Sequence, residues 1–334
     1  MNPLAYLTVF VVCVVLECIY VPVARALKIG TAGRGKNRPK NFTPAGGGII
    51  FILAAFICGM FTDGLHNPFF FRIFAGATVL ACVSFIDDIY NLPPGIRLLI
   101  QFAVVIGVFY EYLVSGHPDA FILTTLLVVG FMNSFNFMDG INGMLCVYGI
   151  VSLATLSYIL HVLYLNPEYS AEPSVDTIIH LKDLCLSLCI AVGAFALFNY
   201  RRKAIIFAGD IGSITLGFFI IVTLATIIHL TGDLSVLVLI SVYVVDTSLT
   251  VIQRLFLGEH ILTPHRHHVY QLLTTHFKLR HISVANIYAL VQLGINAVYL
   301  AVPHALKGTV AIITTVLLIF IYFYIRLSPT VSRK

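Results

Sequence analysis

The chain is 334 residues long, 59% hydrophobic and only 10% charged, with a mean hydropathy of +0.96. Soluble domains carry roughly 25% charged residues, so the composition excludes an ordinary soluble enzyme and implies a polytopic membrane protein built as one helical domain over residues 1–334. The net charge of +5 is too small and dispersed for a nucleic-acid partner, and the seven cysteines show no CxxC or Cys/His metal spacing, so they read as small buried hydrophobes.

The first apolar run, residues 3–26, contains Glu17 and lacks a small-residue cleavage site, so it reads as a retained helix and not a leader. Runs of about 17–25 apolar residues span a bilayer. Further runs follow at 45–62, 69–86, 97–114, 120–138, 143–164, 184–200, 211–230, 234–254, 283–303 and 307–326, which makes eleven spanning helices, with ten as the alternative count. Lipid offers backbone groups no hydrogen bonds, so the expected fold is all-α.

Threading these helices back and forth places seventeen of the twenty basic residues on one side, and Arg72, Lys182 and Lys307 on the other. The positive-inside rule makes the basic side cytoplasmic, with the N-terminus outside and the C-terminus in the cytoplasm. The polar clusters fall on that same side. Loops at about 27–44, 87–96, 139–142, 201–210 and 255–282 are therefore expected to form one composite active site. The opposite side carries Asp63, Asp119, Glu168, Glu172, Asp176, Asp183 and Asp233 singly, in what read as solvated turns.

Four clusters carry chemistry. Asp87-Asp88 ends the run at 69–86, where burying a charge costs roughly 2.5–3.5 kcal/mol. Adjacent like charges repel, so the pair calls for a cation, or else stands as two solvated loop carboxylates. In the second, Asn136 and Asp139 are three apart and share a helical face with Asn133, ahead of Gly140 and Gly143. Such groups suit a polar ligand, although asparagine also glues transmembrane helices together. Asp210, between Gly209 and Gly212 and after Arg201-Arg202-Lys203, reads as a metal ligand or as the N-cap of its helix. The last cluster, His265-Arg266-His267-His268, suits a diphosphate or is a basic loop near anionic headgroups. Hard oxygen donors together with cations point to Mg2+, or Mn2+ in its place, and to a phosphate-bearing substrate.

These motifs, in this order, resemble the polyprenyl-phosphate N-acetylhexosamine-1-phosphate transferases of glycosyltransferase family 4. The resemblance runs from about Lys40 to Gln271. It rests on Lys40 with Thr43-Pro44 before three glycines, FIDD at 85–88, NSFNFMDGING at 133–143, FAGDIGS at 207–213, Asp246 with Arg254, and HRHH at 265–268. It implies a multi-pass protein of the bacterial inner membrane, and it suggests a homodimer. Such an enzyme transfers an N-acetylhexosamine 1-phosphate, foremost GlcNAc 1-phosphate, from a UDP-sugar to undecaprenyl phosphate with Mg2+, releasing UMP. That reaction is the first membrane step of a cell-surface polysaccharide such as O-antigen or another lipopolysaccharide or cell-wall polymer. By resemblance, Asp87, Asp88 and Asp139 are catalytic, Asp210 and Asp139 hold metal, and Lys40, Thr43, Asn136, Asn199, Arg254, His265, Arg266, His267 and His268 bind substrate. Asn142 stands where many members have a second Asp, the segment 199–210 lacks the usual Pro-Ala, and HRHHVYQ departs from the histidine run of the peptidoglycan translocase. The phospho-N-acetylmuramoyl-pentapeptide translocase is the alternative within the family. An ion-coupled transporter is the alternative outside it, disfavoured because transporter sites lie near the bilayer midplane.

Overall fold

Interruptions in the apolar pattern set the helix limits. In the computed structural model, which describes residues 1–30, 42–111, 118–169, 174–260 and 266–328, Asn2 caps α1 (Pro3–Leu27) by accepting the Ala5 N–H at 2.8 Å. After α2 (Ile49–Phe61), Asn67 accepts the Phe69 and Phe70 N–H groups and Pro68 opens α3 (Pro68–Tyr90). Pro94 opens α4 (Pro94–Val108), followed by α5 (Pro118–Met138), α6 (Met144–Leu165), α7 (Ser174–Asn199) and α8 (Gly209–Thr231). A 3-10 segment, Leu234–Ile240, runs into α9 (Ser241–Phe256); the short α10 (Val269–Thr275), α11 (His281–Ala301) and α12 (His304–Arg326) complete the chain.

Among the described residues no strand occurs, and nine helical segments are long and apolar enough to cross a membrane, counting Leu234–Phe256 as one. Each of the eleven expected runs is a helix, but α2 and α4 are shorter than a bilayer needs, at 13 and 15 residues. The shortening of α2 has a physical cause: Pro44 to Gly48 is an irregular segment, turning at Gly47 and Gly48, that pairs with the chain before α8. Phe207 N–H donates to Pro44 O at 2.8 Å, and the Gly47 and Gly48 N–H groups donate to Phe207 O and Ala208 O at 3.0 Å.

Two other boundaries differ from expectation. α3 continues through Asp87 and Asp88 to Tyr90, and α7 begins ten residues before the expected 184. Asp183 is therefore no solvated turn residue. It is buried, and its carboxylate takes the Met1 ammonium and, at 2.9 Å, the Tyr6 hydroxyl.

α8 is the axis of the bundle. Ile211 to Leu224 are all buried, against α3 on one side and α5 on another. Gly48 and Gly212 allow the backbone of the segment at 44–48 to touch it, for a Cβ on Gly48 would lie 2.0 Å from Gly212 Cα. The break at 240–241 is held by Gln292 of α11, which donates to Val238 O and accepts the Val242 N–H, both at 3.0 Å. A buried amide that pairs with both sides of a helix break satisfies backbone groups that lipid would leave orphaned.

Candidate active site

Three helix ends meet at one end of the bundle, and each brings carboxylates. The last turn of α3 supplies Asp87 and Asp88, the first turn of α8 supplies Asp210, and Asp139 lies one residue beyond α5.

Asp88 accepts the Asp210 N–H at 2.9 Å on Oδ1 and the Ile211 N–H at 3.2 Å on Oδ2. It thus caps α8 from a neighbouring helix, where its charge meets the positive end of the helix dipole. The capping role weighed for Asp210 belongs to Asp88. Gly209 makes the approach possible: its φ is +75°, and a Cβ there would lie 2.4 Å from Asp88 Oδ2. Asp87, nearly buried, accepts the Leu92 N–H at 2.5 Å on Oδ1 and Arg97 Nη1 at 2.5 Å on Oδ2. The same Nη1 donates to Asp210 Oδ2 at 2.9 Å. Arg97, which the motifs did not single out, ties α4 to both α3 and α8.

Asn136 accepts the Ser213 hydroxyl at 2.8 Å and so couples the end of α5 to the start of α8. Asp139 accepts no hydrogen bond from the described residues. Burial, then the charges of Asp210 and Asp88, push its carboxyl well above the usual carboxylate range. Tyr270 of α10 closes over this turn: its hydroxyl donates to Phe137 O at 2.9 Å, and a Cβ on Gly140 would lie 2.1 Å from that oxygen.

Three asparagines of these motifs are occupied inside the protein. Asn133 donates to Gln101 at 2.6 Å and to Val129 O, as helix glue between α5 and α4. Asn142 donates to Arg201 O and Arg202 O. Asn199, 4% exposed, accepts the Gly143 N–H at 2.7 Å and donates to Ile206 O at 2.9 Å. Both ends of its amide are used on backbone, which makes it a strut between two site loops.

Arg254 is also held inside the protein. It is 1% exposed, with Nε on Glu259 at 2.9 Å and Nη2 on His260 O at 2.7 Å. Glu259 in turn lies 3.4 Å from His267 Nε2. His268 is buried, stacked on Tyr270 and 3.5 Å from Asp246, whose carboxylate also accepts the Val269 N–H and the Tyr288 hydroxyl. His268 is therefore part of the wall, whereas Arg266 is exposed and His267 is partly so. Thr43 lies half-buried beside the segment at 44–48. Lys40 and His265 fall outside the described residues.

The donor set fits a hard divalent cation in one particular way. Among the described residues no group of three or more His, Cys, Asp or Glu converges as a metal cage, yet Asp139 has no partner and Asp210 shares one oxygen with Arg97. One or two carboxylates completed by substrate phosphate oxygens is the usual magnesium arrangement.

The comparisons with known proteins bear on this same stretch. Residues 70–229, which span Asp87, Asp88, Asp139 and Asp210, match glycosyl transferase family 4. The chain is 26% identical over 306 residues to a probable undecaprenyl-phosphate N-acetylglucosaminyl 1-phosphate transferase of Bacillus subtilis (strain 168), covering 84% of this chain and 80% of that one. It is 28% identical over 272 residues to a phospho-N-acetylmuramoyl-pentapeptide-transferase of Helicobacter acinonychis (strain Sheeba), covering 70% and 74%. It is also 28% identical over 211 residues to the enzyme of that name from Aliarcobacter butzleri (strain RM4018), covering 53% of this chain and 58% of the relative.

Proposed function

We propose that this multi-pass membrane protein, whose residues 70–229 are a glycosyl transferase family 4 segment, transfers an N-acetylhexosamine 1-phosphate, foremost GlcNAc 1-phosphate, from a UDP-sugar to undecaprenyl phosphate. One observation carries the reading: within the matched segment Arg97 holds Asp87 and Asp210, Asp88 caps the helix that Asp210 opens, and the charges of Asp210 and Asp88 reach Asp139. Phosphoryl transfer needs little covalent chemistry from a protein, mainly positioning and neutralisation of charge. Asp210 and Asp139 would hold Mg2+, or Mn2+ in its place, and the ion when bound supplies charge neutralisation at the diphosphate.

The residues of the chain do the rest. Asp88 and Asp87 are committed to α8, Leu92 and Arg97, so their part is to fix three helix ends in register. Asp139 is the uncommitted carboxyl and is assigned the proton of the acceptor phosphate. Arg266, exposed, and His267, partly so, are assigned as donors for the nucleotide diphosphate. The basic loops support a cytoplasmic position for this end of the bundle, where soluble UDP-sugars are found, with the lipid phosphate entering from the bilayer. The relative of Bacillus subtilis, aligned over 80% of its length, and the HRHHVYQ loop favour GlcNAc over the muramoyl-pentapeptide donor.

Purified protein given labelled UDP-GlcNAc, undecaprenyl phosphate and Mg2+ is expected to yield labelled lipid and UMP. UDP-N-acetylmuramoyl-pentapeptide tested alongside decides between the two donors. EDTA is expected to abolish transfer and added Mg2+ or Mn2+ to restore it. No lipid product from any UDP-N-acetyl sugar overturns the proposal.

A further inference from the structure

Arg97 grips two carboxylates with one nitrogen. Nη1 alone reaches Asp87 at 2.5 Å and Asp210 at 2.9 Å, and the side chain is 32% exposed. Nε and Nη2 donate to none of the described residues, so three of the five guanidinium N–H groups are unused. An arginine serving only as a structural tie between carboxylates gains most by bidentate pairing. Here the second edge of the fork stays open beside the site. Pro93-Pro94 fixes the base of α4, and a Cβ on the adjacent Gly95 would meet nothing within 4 Å, so there is room at the helix start. No other lysine, arginine or histidine pairs with Asp87 or Asp210 among the described residues.

We propose that Arg97 is a catalytic residue with two positions: it balances Asp87 and Asp210 in the resting site, and it gives up Asp210 to bind the phosphate of an arriving substrate through its open edge. The exchange keeps Asp87 anchored and leaves the Asp210 carboxylate free when substrate phosphate is present. This deepens the transferase reading and rests on it. The ligand chemistry is a phosphate oxygen pair, which either the nucleotide diphosphate or the prenyl phosphate can supply.

Two binding measurements on the purified full chain test the exchange without turnover. In the absence of phosphate, Arg97→Gln is expected to bind Mn2+ about tenfold more tightly than the wild type, read by electron paramagnetic resonance, because one charge-assisted hydrogen bond no longer competes for Asp210. In EDTA, the same variant is expected to bind its phosphate ligand about tenfold more weakly, the change falling on UDP if the diphosphate is read and on farnesyl phosphate if the acceptor is read. Arg97→Lys retains the charge and loses the fork, so it should lose phosphate affinity with Mn2+ affinity near that of the wild type. Changes of the same sign in both measurements for Arg97→Gln, or full phosphate affinity in Arg97→Lys, overturn the exchange. A wild type that binds neither UDP nor farnesyl phosphate overturns the transferase reading as well.

Discussion

Asp139 and Asn199 show how differently two polar residues from neighbouring motifs can be used. Asn199 is fully satisfied by Gly143 N–H and Ile206 O. Asn199→Leu should therefore cost about 1–3 kcal/mol through two orphaned backbone groups, and a lowered Tm in detergent checks it. Asp139 is the opposite case, a half-buried carboxyl with no partner among the described residues, raised by burial and by Asp210 and Asp88. The raised native pKa means that the folded state holds its proton more firmly than the unfolded chain. Stability from this group is thus fully present below the ordinary value of 3.8 and is lost as pH rises toward the native pKa. In EDTA, Asp139→Asn should gain in Tm over the wild type, by a margin that widens as pH rises through that window, while transfer falls by about 100-fold or more if the group moves a proton. A margin that does not change with pH means that Asp139 titrates alike in the folded and the unfolded chain, and that its carboxyl is not raised by the site.

At the scale of elements, the site depends on contacts that do not touch a ligand. The segment at 44–48 lies against the start of α8 because neither Gly48 nor Gly212 has a side chain. Gly48→Ala places a methyl group 2.0 Å from Gly212 Cα. Separating the two segments should cost about 1–3 kcal/mol and displace the Asp88 cap, so Tm and transfer should fall together. α12 is mostly lipid-facing, yet its last turn reaches the histidine loop: Arg326 lies over the Tyr322 ring at 5.0 Å and donates to His267 O. Arg326→Ala should raise KM for the UDP-sugar several-fold with little change in Tm, since the contact steadies one loop and not the bundle. Steady-state kinetics over a range of donor concentrations separates the two effects.

At the scale of the whole molecule, the helices could be read from the sequence because a spanning segment needs only length and apolarity, and both are local properties. The carboxylates could be read because a charge at the end of an apolar run is costly. Arg97 was counted only for its charge, since nothing local says that a basic residue ten positions past Asp87, across Pro93-Pro94, folds back onto it. The use of the asparagines was not legible for a related reason: Asn133, Asn142 and Asn199 present the same amide groups whether they face a substrate, another side chain or distant backbone. Pairing of residues 44–48 with 207–208 is also non-local and shortened α2 against expectation. The charge asymmetry, by contrast, is a property of the whole chain and leads to a test of orientation. In a background without the native cysteines, Lys203→Cys sits in the exposed loop before α8 and His304→Cys at the exposed start of α12, at opposite ends of the bundle. If the basic loops face the cytoplasm, a membrane-impermeant maleimide should label His304→Cys in intact spheroplasts and Lys203→Cys only after the membrane is opened. The reverse pattern would put the carboxylates on the outer face, where no UDP-sugar is supplied, and the transferase would need its donor delivered by another route.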